Sequence, residues 1–217
     1  MPRIREFETD DAVVAARSVF WEHGYEQTSV PALERATGLG RSSLYQAFGS
    51  KRGLFDVCVE NYLDEILRPR LRPLGQDPVD PGALLDYLDA LRGALADAGS
   101  APGQHGCLLL NAASGPIGRQ EAVAAWVAAY REELRAAMRR GLAAARAAGG
   151  WALGTSGDAG PGDAGPGDGG PDGGEPDEAL LERDAEACAS LVTSAFMLTR
   201  VDSSAALRCV DAARAMV

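Results

Sequence analysis

Apolar positions recur at helical spacing along most of the chain. Near the N-terminus, Val13, Ala16 and Phe20 fall on one face of a helix predicted from about Thr9 to His23, with Thr9 at its N-cap. No segment shows the sustained alternation of apolar and polar residues, rich in β-branched side chains, that is typical of a strand. The pattern therefore predicts an all-α fold.

The same pattern predicts about nine helices in total. Pro69 and Pro73 are expected to end the fourth helix, and Pro81 suits the first turn of the fifth, where a backbone N–H has no partner to lose. After the first helix, the predicted helices cover about residues 30–37, 41–47, 51–67, 81–97, 104–113, 118–148, 177–200 and 203–216.

One segment breaks the helical pattern. Residues 157–171 contain three near-copies of a pentapeptide, which is Gly-Asp-Ala-Gly-Pro in the first two copies. A segment so rich in glycine and proline cannot bury a core, and a calcium-binding repeat, the alternative for a Gly/Asp-rich stretch, would need apolar positions that are missing. Residues 154–178 are therefore predicted to be a flexible acidic linker. They hold seven acids and no base, so the rest of the chain carries only about −3 of the formal net charge of −10.

Composition excludes several classes of protein. Apolar residues make up 46% of the chain, which is enough for a real core, but no run of them is long enough to cross a bilayer or to form a signal-peptide core. We therefore expect a cytoplasmic protein without membrane partners. The cysteines lie far apart with no Cys-x-x-Cys pair and are predicted to be reduced, mostly buried thiols: Cys58, Cys107, Cys188 and Cys209.

The sequence contains no recognisable catalytic or metal-binding set. Its two histidines, His23 and His105, have no serine or cysteine motif beside them, and no cluster has the spacing of metal ligands. Cys107 as a redox switch would need an exposed thiol of low pKa, and a buried thiol is the favoured alternative. We expect neither an enzyme nor a bound cofactor or metal.

A short glycine-bearing turn, Thr37–Gly40, separates the second and third predicted helices. Gly38 can adopt the positive φ that such a turn needs, and Leu39 can fill the wedge between the helices. The outer face of the third helix then carries side chains that suit base edges and phosphates, although a plain helical hairpin with a polar face is the alternative. These side chains are Arg41, Ser42, Ser43, Tyr45 and Gln46.

A wider motif surrounds this turn. It consists of Phe20-x-x-x-Gly24-Tyr25-x-x-Thr28-Ser29-Val30, then Ala36-x-Gly38-Leu39, then Ser43-Leu44-Tyr45-x-x-Phe48-x-Ser50-Lys51-x-x-Leu54-Phe55. Over residues 9–56 this motif resembles the N-terminal domain of the TetR family of bacterial repressors. The sequence departs from many family members at Ala47, where a histidine often precedes the phenylalanine.

The resemblance implies a three-helix DNA-binding domain with a helix-turn-helix over residues 1–52. Thr28 would hold a phosphate at the start of the second helix, and Lys51 would hold another at the start of the fourth. The implied DNA-binding residues are Thr28, Arg41, Ser42, Ser43, Tyr45, Gln46 and Lys51.

The resemblance also implies that residues 53–217, which include the linker, form a helical effector-binding and dimerisation domain. The protein would then be a homodimeric repressor of a double-stranded DNA operator, released by a small apolar or amphipathic effector. The alternative is a helical small-molecule-binding protein that does not bind DNA.

Two sets of residues in this second domain are candidates for those roles. Effector pockets are lined by apolar and aromatic side chains with few polar anchors, although each candidate also suits a plain core. The pocket candidates are Tyr62, Tyr87, Cys107, Asn111, Trp126 and Tyr130. The last two helices are implied to form the dimer interface, and small residues at helical spacing allow close packing there. The interface candidates are Leu191, Ala195, Leu198, Ala206, Val210 and Ala213.

Overall fold

The computed structural model describes residues 3–149 and 178–217, and every regular element in these two ranges is helical, as predicted. The helices are α1 (Arg3–Gln27), α2 (Val30–Thr37), α3 (Arg41–Phe48), α4 (Lys51–Tyr62), α5 (Arg68–Leu71), α6 (Ala83–Ala96), α7 (Ala101–His105), α8 (Leu108–Ser114), α9 (Glu121–Gly149), α10 (Glu178–Leu198) and α11 (Ser203–Arg214). A π-helical turn, Leu63–Leu67, joins α4 to α5, and 3-10 turns occupy Arg72–Gly75 and Pro116–Arg119. The predicted acidic linker lies outside the described residues, apart from Glu178.

Two predicted helix boundaries are wrong. Helix α1 begins at Arg3, so Thr9 lies inside the helix and is not its N-cap. Gly24, with φ 76° and ψ 168°, kinks α1 directly after the predicted end of the helix at His23. Pro69 does not end the fourth helical segment, because it lies in the first turn of α5, where its missing N–H costs no hydrogen bond. The segment therefore continues from Lys51 through the π-helical turn to Leu71.

The single helix predicted over 104–113 is divided at Gly106. This residue has φ 68°, which ends α7, and α8 begins after Cys107. A Cβ atom at position 106 would lie 2.7 Å from the carbonyl oxygen of Phe196. The left-handed backbone and this close approach both require glycine, and periodicity alone does not reveal either.

The N-terminal helices share a continuous core with the rest of the chain. The ring of Phe20 on α1 lies 5.2 Å from that of Phe55 on α4, and Trp21 meets Tyr62 edge to face at 4.9 Å. The indole N–H of Trp21 also donates to the Gly106 carbonyl oxygen at 3.1 Å. Helix α4 thus packs against α1. The domain boundary predicted after residue 52 therefore falls within α4.

Ion pairs align α9 with α10. Arg131, Arg135 and Arg139 bind Glu186, Glu182 and Glu178 respectively, so residue numbers rise along one helix as they fall along the other. The two helices are therefore antiparallel. Each ion pair is partly exposed, and solvent screening leaves such pairs little net effect on stability. The main effect of the three ion pairs is therefore on the register of the two helices. Among the described helices, none combines the length and apolar character needed to span a membrane.

Candidate nucleic-acid interface

The turn between α2 and α3 has the geometry that a helix-turn-helix requires. Helix α2 begins at Ser29, whose hydroxyl accepts the N–H of Ala32 at 3.3 Å, and it ends at Gly38. Gly38 has φ 71° and ψ 1°, and its N–H donates to the Glu34 carbonyl oxygen at 3.0 Å. The predicted positive φ at this glycine is confirmed.

Helix α3 turns its polar face outward. Leu44 is buried, and Phe48 and Leu39 pack against the core, which fixes the rotation of the helix. Tyr45 is half-buried, and the guanidinium of Arg41 lies 5.4 Å from its ring centroid. The exposed side chains of this face are Arg41, Ser42, Ser43 and Gln46.

The junction between α3 and α4 is unusually tight. Gly49 has φ 74° and its N–H donates to the Tyr45 carbonyl oxygen at 2.9 Å, while the Ser50 hydroxyl accepts the N–H of Gly53 at 3.0 Å. A Cβ atom on Gly53 would lie 2.1 Å from the carbonyl oxygen of Phe48. Gly53 is therefore required for α4 to begin directly beside the end of α3. Sequence analysis missed this residue, because only the packing reveals the close approach.

Lys51 is held in place at the first turn of α4. Its ammonium lies 4.4 Å from the ring centroid of Tyr25, and that ring packs against Phe55 at 5.0 Å. Partial burial lowers the pKa of Lys51, and the negative charge of Glu26 acts in the opposite direction. The cation–π contact holds the ammonium over the Tyr25 ring, within one turn of the end of α3 along the chain.

The structure places Thr28 differently from the prediction. Thr28 is 1% exposed, and its hydroxyl donates to the Gly24 carbonyl oxygen at 2.6 Å. A side chain turned inward in this way stabilises the bend between α1 and α2 and does not reach a phosphate. The exposed hydroxyl at the start of α2 belongs to Ser29.

Five cations of the first four helices divide into two groups. Arg52 pairs with Asp56 at 2.5 Å, and Arg17 donates to the Asn61 side-chain oxygen at 2.6 Å. Within the described parts of the chain, Arg35, Arg41 and Lys51 form no ion pair. Arg41 therefore adds an unpaired positive charge to the exposed polar face of α3, although the whole chain is acidic.

Four of the predicted pocket residues meet in the core. Tyr62, Tyr87, Cys107 and Tyr130 are all buried and belong to the same hydrophobic core. Burial raises the pKa of each of these groups, so the phenols and the thiol stay protonated. Together they form a neutral cluster of three phenols and one thiol.

The other two pocket candidates lie elsewhere. The side-chain amide of Asn111 donates to the His105 carbonyl oxygen at 2.7 Å and clasps the turn around Gly106. Trp126 is half-buried on α9 and packs against the core. A cavity of about 430 Å³ opens instead between α5 and α6, and Tyr87 is the predicted candidate that lines it.

Most of the predicted interface residues pack within the subunit. Ala195, Ala206, Val210 and Ala213 are at most 1% exposed, because α10 and α11 pack against each other and α11 also packs against α6. A buried side chain is not available to a partner, so these four assignments are wrong. The remaining two candidates are partly exposed: Leu191 also packs against the core, and Leu198 is the last residue of α10.

The cysteine prediction is confirmed in its main point. Cys58, Cys107 and Cys188 are buried, Cys209 is partly exposed, and all four are free thiols. Burial raises the pKa of Cys58 and of Cys188 to about 12. Across residues 3–149 and 178–217 there is no group of three or more His, Cys, Asp or Glu side chains that could hold a metal ion.

A segment near the N-terminus of the chain matches a known family. Residues 12–58 match the family model described as "Bacterial regulatory proteins, tetR family", and this stretch contains the turn between α2 and α3 and Lys51. This segment is therefore similar to the N-terminal domain of the TetR family. This is a regulatory family, and its fold has an N-terminal DNA-binding domain.

Curated relatives match part of the chain. The chain is 33% identical over 110 residues to the HTH-type transcriptional repressor ComR of Escherichia coli K12, which covers 50% of this chain and 51% of ComR. It is 44% identical over 64 residues to the uncharacterized regulator YezE of Bacillus subtilis 168, which covers 30% of this chain and 33% of YezE. The chain thus spans about half the length, or less, of these curated relatives.

Solved TetR-family structures match nearly the whole chain. The regulator CifR, solved as a cysteine mutant in complex with 26-base-pair double-strand operator DNA, has a TM-score of 0.67 and 26% identity. The match covers 95% of each chain. A TetR-family regulator from Agrobacterium tumefaciens shares the fold, with a TM-score of 0.62 at 22% identity over 93% of this chain and 92% of that chain.

Proposed function

We propose that this protein is a transcriptional repressor that binds a double-stranded DNA operator as a homodimer and is released by a small-molecule effector. The observation that carries the proposal is the exposed polar face of α3, flanked by the unpaired charges of Arg41 and Lys51. The similarity to CifR, which was solved on operator DNA, supports the same assignment.

Each side chain of this face has a distinct role in the proposal. Arg41 and Gln46 read base edges in the major groove, since guanidinium suits guanine and the amide suits adenine. Ser42, Ser43 and Tyr45 bind phosphates or bases, and Lys51 clamps a phosphate at the start of α4. Ser29 replaces Thr28 as the hydroxyl at the start of α2.

The dimer surface is proposed to be the outer side of α10 and the turn that follows it. Leu191 and Leu198 are partly exposed there, and Val201 is 84% exposed. Two subunits joined through this surface would place their α3 helices in successive major grooves, about 34 Å apart.

The proposal divides the chain by role, with residues 1–52 binding DNA and residues 53–217 binding the effector and the second subunit. Neither part is proposed to catalyse a reaction, and a protein whose target is chromosomal DNA works in the cytoplasm. The effector is expected to bind the DNA-incompetent form more tightly, typically by about 1–3 kcal/mol.

A direct test uses DNA from around the protein's own coding region, compared with a scrambled duplex of the same composition. Fluorescence anisotropy across a salt series is expected to show tight binding to one fragment, a steep salt dependence and two subunits per site. Equal, weak binding to all fragments, repeated on a random-sequence library without enrichment, would favour a helical small-molecule-binding protein that does not bind DNA.

A further inference from the structure

The cavity between α5 and α6 has one wall of prolines and one wall of small residues. Pro69 and Pro73 lie on the first side, and Ala83, Ala90 and Ala94 lie on the second. The alanines follow helical spacing along α6, and larger side chains there would fill the space. Its volume of about 430 Å³ suits a small organic molecule.

Apolar surface dominates the inside of this cavity. Tyr87 and Leu91 form its buried base, and both also belong to the main core. A ligand seated there would bury an apolar body against these two side chains. Tyr87 also belongs to the neutral cluster with Tyr62, Cys107 and Tyr130, so the cavity adjoins that cluster.

Arg70 supplies the positive charge of the cavity. Among the described residues it forms no ion pair within 4 Å, whereas its neighbour Arg68 is bound by Asp64 and Glu133. The charge of Arg70 counteracts the burial-induced rise in the pKa of Tyr87 and of Tyr130, so it acts on the buried phenols. An arginine with five N–H donors and no carboxylate partner suits a planar anion.

Two acidic residues, Asp80 and Asp86, also line the cavity. Asp80 accepts the N–H of Gly82 at 2.8 Å and so stabilises the start of α6. Asp86 lies in the first turn of α6, where the positive end of the helix dipole favours a carboxylate. Neither residue forms an ion pair with Arg70.

We propose that this cavity binds a small monocarboxylate with an apolar or aromatic body. The carboxylate pairs with the guanidinium of Arg70, and the body packs on Tyr87 and Leu91 between the prolines and the alanines. This inference rests on the proposed function, because it names the chemical class of the effector. Binding at this site is nevertheless measured without DNA.

The test titrates the full-length protein with phenylacetate and hexanoate by isothermal calorimetry and thermal shift. The corresponding neutral amides, phenylacetamide and hexanamide, and the amine hexylamine serve as matched probes. Saturable binding is expected for the carboxylates, with at least tenfold weaker binding of the amides because they lack the charge that arginine recognises.

Three variants locate the binding to this cavity. Arg70→Gln is expected to weaken carboxylate binding at least tenfold, whereas Arg72→Gln, which changes another exposed arginine outside the cavity, leaves it unchanged. Ala94→Leu fills the cavity without changing charge and is expected to weaken binding of every probe. Circular dichroism and the melting temperature confirm that each variant is folded.

The proposal is overturned by any of three results. These are equal binding of the carboxylate and the amide, unchanged affinity in Arg70→Gln, or tighter binding of hexylamine that is lost in Asp86→Asn. The carboxylates could bind as expected without altering DNA binding. That result would confirm the carboxylate site and contradict its role as the effector site of the proposed repressor. If DNA binding itself is absent, the carboxylate affinities still decide the site.

Discussion

The carboxylate of Glu26 accepts the backbone N–H of Ile117 at 2.8 Å, which links the end of α1 to the 3-10 turn after α8. Gly115 allows this approach, because a Cβ atom there would lie 3.1 Å from the second carboxylate oxygen. At the other end of α8, Trp21 donates to the carbonyl oxygen of Gly106. Helix α1 therefore holds α8 at both ends, and α8 begins beside the cluster that contains Cys107.

Removal of the Glu26 carboxylate is expected to loosen this link. Glu26→Ala leaves the N–H of Ile117 without its acceptor, and we expect the free energy of unfolding to fall by about 1–3 kcal/mol in urea denaturation. Glu22→Ala, an exposed glutamate on the same helix, is the control and should change stability by less than about 0.5 kcal/mol. Equal effects of the two substitutions would show that the link contributes nothing.

Replacement of Gly53 is expected to disturb the junction between α3 and α4. In Gly53→Ala the new Cβ atom meets the carbonyl oxygen of Phe48, so α4 must shift and carry Lys51 with it. Both the melting temperature and the affinity for DNA should fall.

Gly93→Ala is the matched control for this prediction. Gly93 lies within α6 with open space around it, so alanine there should stabilise the protein by about 0.5–1 kcal/mol. A Gly53→Ala variant that is as stable as the wild type would contradict the packing at the junction.

Two cations of the recognition face should have different effects on DNA binding. Lys51→Ala is expected to weaken binding about equally on all sequences and to lower the salt slope by about one, as loss of a phosphate contact does. Arg41→Ala should cost about 1–3 kcal/mol on the operator and relax specificity if Arg41 reads a base. Arg183→Ala removes an exposed arginine of α10 and should change neither quantity. Anisotropy with operator and scrambled DNA separates these outcomes.

The apolar side chain of Val201 should be covered in the dimer. Val201→Glu is expected to raise the dimer dissociation constant at least tenfold in sedimentation velocity, because it introduces a charge into the proposed surface. Leu85→Glu changes an exposed leucine on α6 and should leave the assembly unaffected. The reverse result would move the interface to α6.

Thiol reactivity should follow burial. At pH 8, iodoacetamide is expected to label the partly exposed Cys209 in the native protein, and the three buried cysteines only after denaturation, as mass spectrometry would show. The raised pKa of Cys58 and of Cys188 favours the folded state fully below pH 9. That contribution is lost as the pH rises from about 9 toward 12, so alkaline conditions should destabilise the protein. Rapid native labelling of all four thiols would contradict this packing.

The backbone conformation of the turn at Gly38 could be predicted from the sequence. The helices that pack against each apolar face could not. Gly38 has the positive φ that its place between two helices indicated, and the polar face of α3 is exposed as its spacing suggested. Ala206 and Val210 have the small size and spacing that also suit a dimer interface, but α6 and α10 cover them within the subunit. Periodicity identifies an apolar face and does not identify what covers it.

The direction in which a polar side chain points was also not predictable from the sequence. Thr28 forms its hydrogen bond inside the bend rather than toward solvent, because the Gly24 carbonyl oxygen is within reach. Sequence spacing places a hydroxyl near a helix start and does not decide which way it turns. Pro69 was misassigned for a similar reason, since its effect depends on its place in the helical turn.

The double attachment of α1 to α8 limits how freely DNA-binding segments can be exchanged between regulators. A chimera that takes residues 1–52 from this protein carries Trp21 and Glu26 but leaves behind Gly106 and Ile117. Suppose that a host protein lacks a backbone carbonyl oxygen and a backbone N–H at the matching positions. In such a host the grafted segment folds but does not form the two hydrogen bonds that connect it to the rest of the protein. Transfer of operator specificity together with control would therefore require the α7–α8 turn and the Gly115–Ile117 turn to move with the recognition helices.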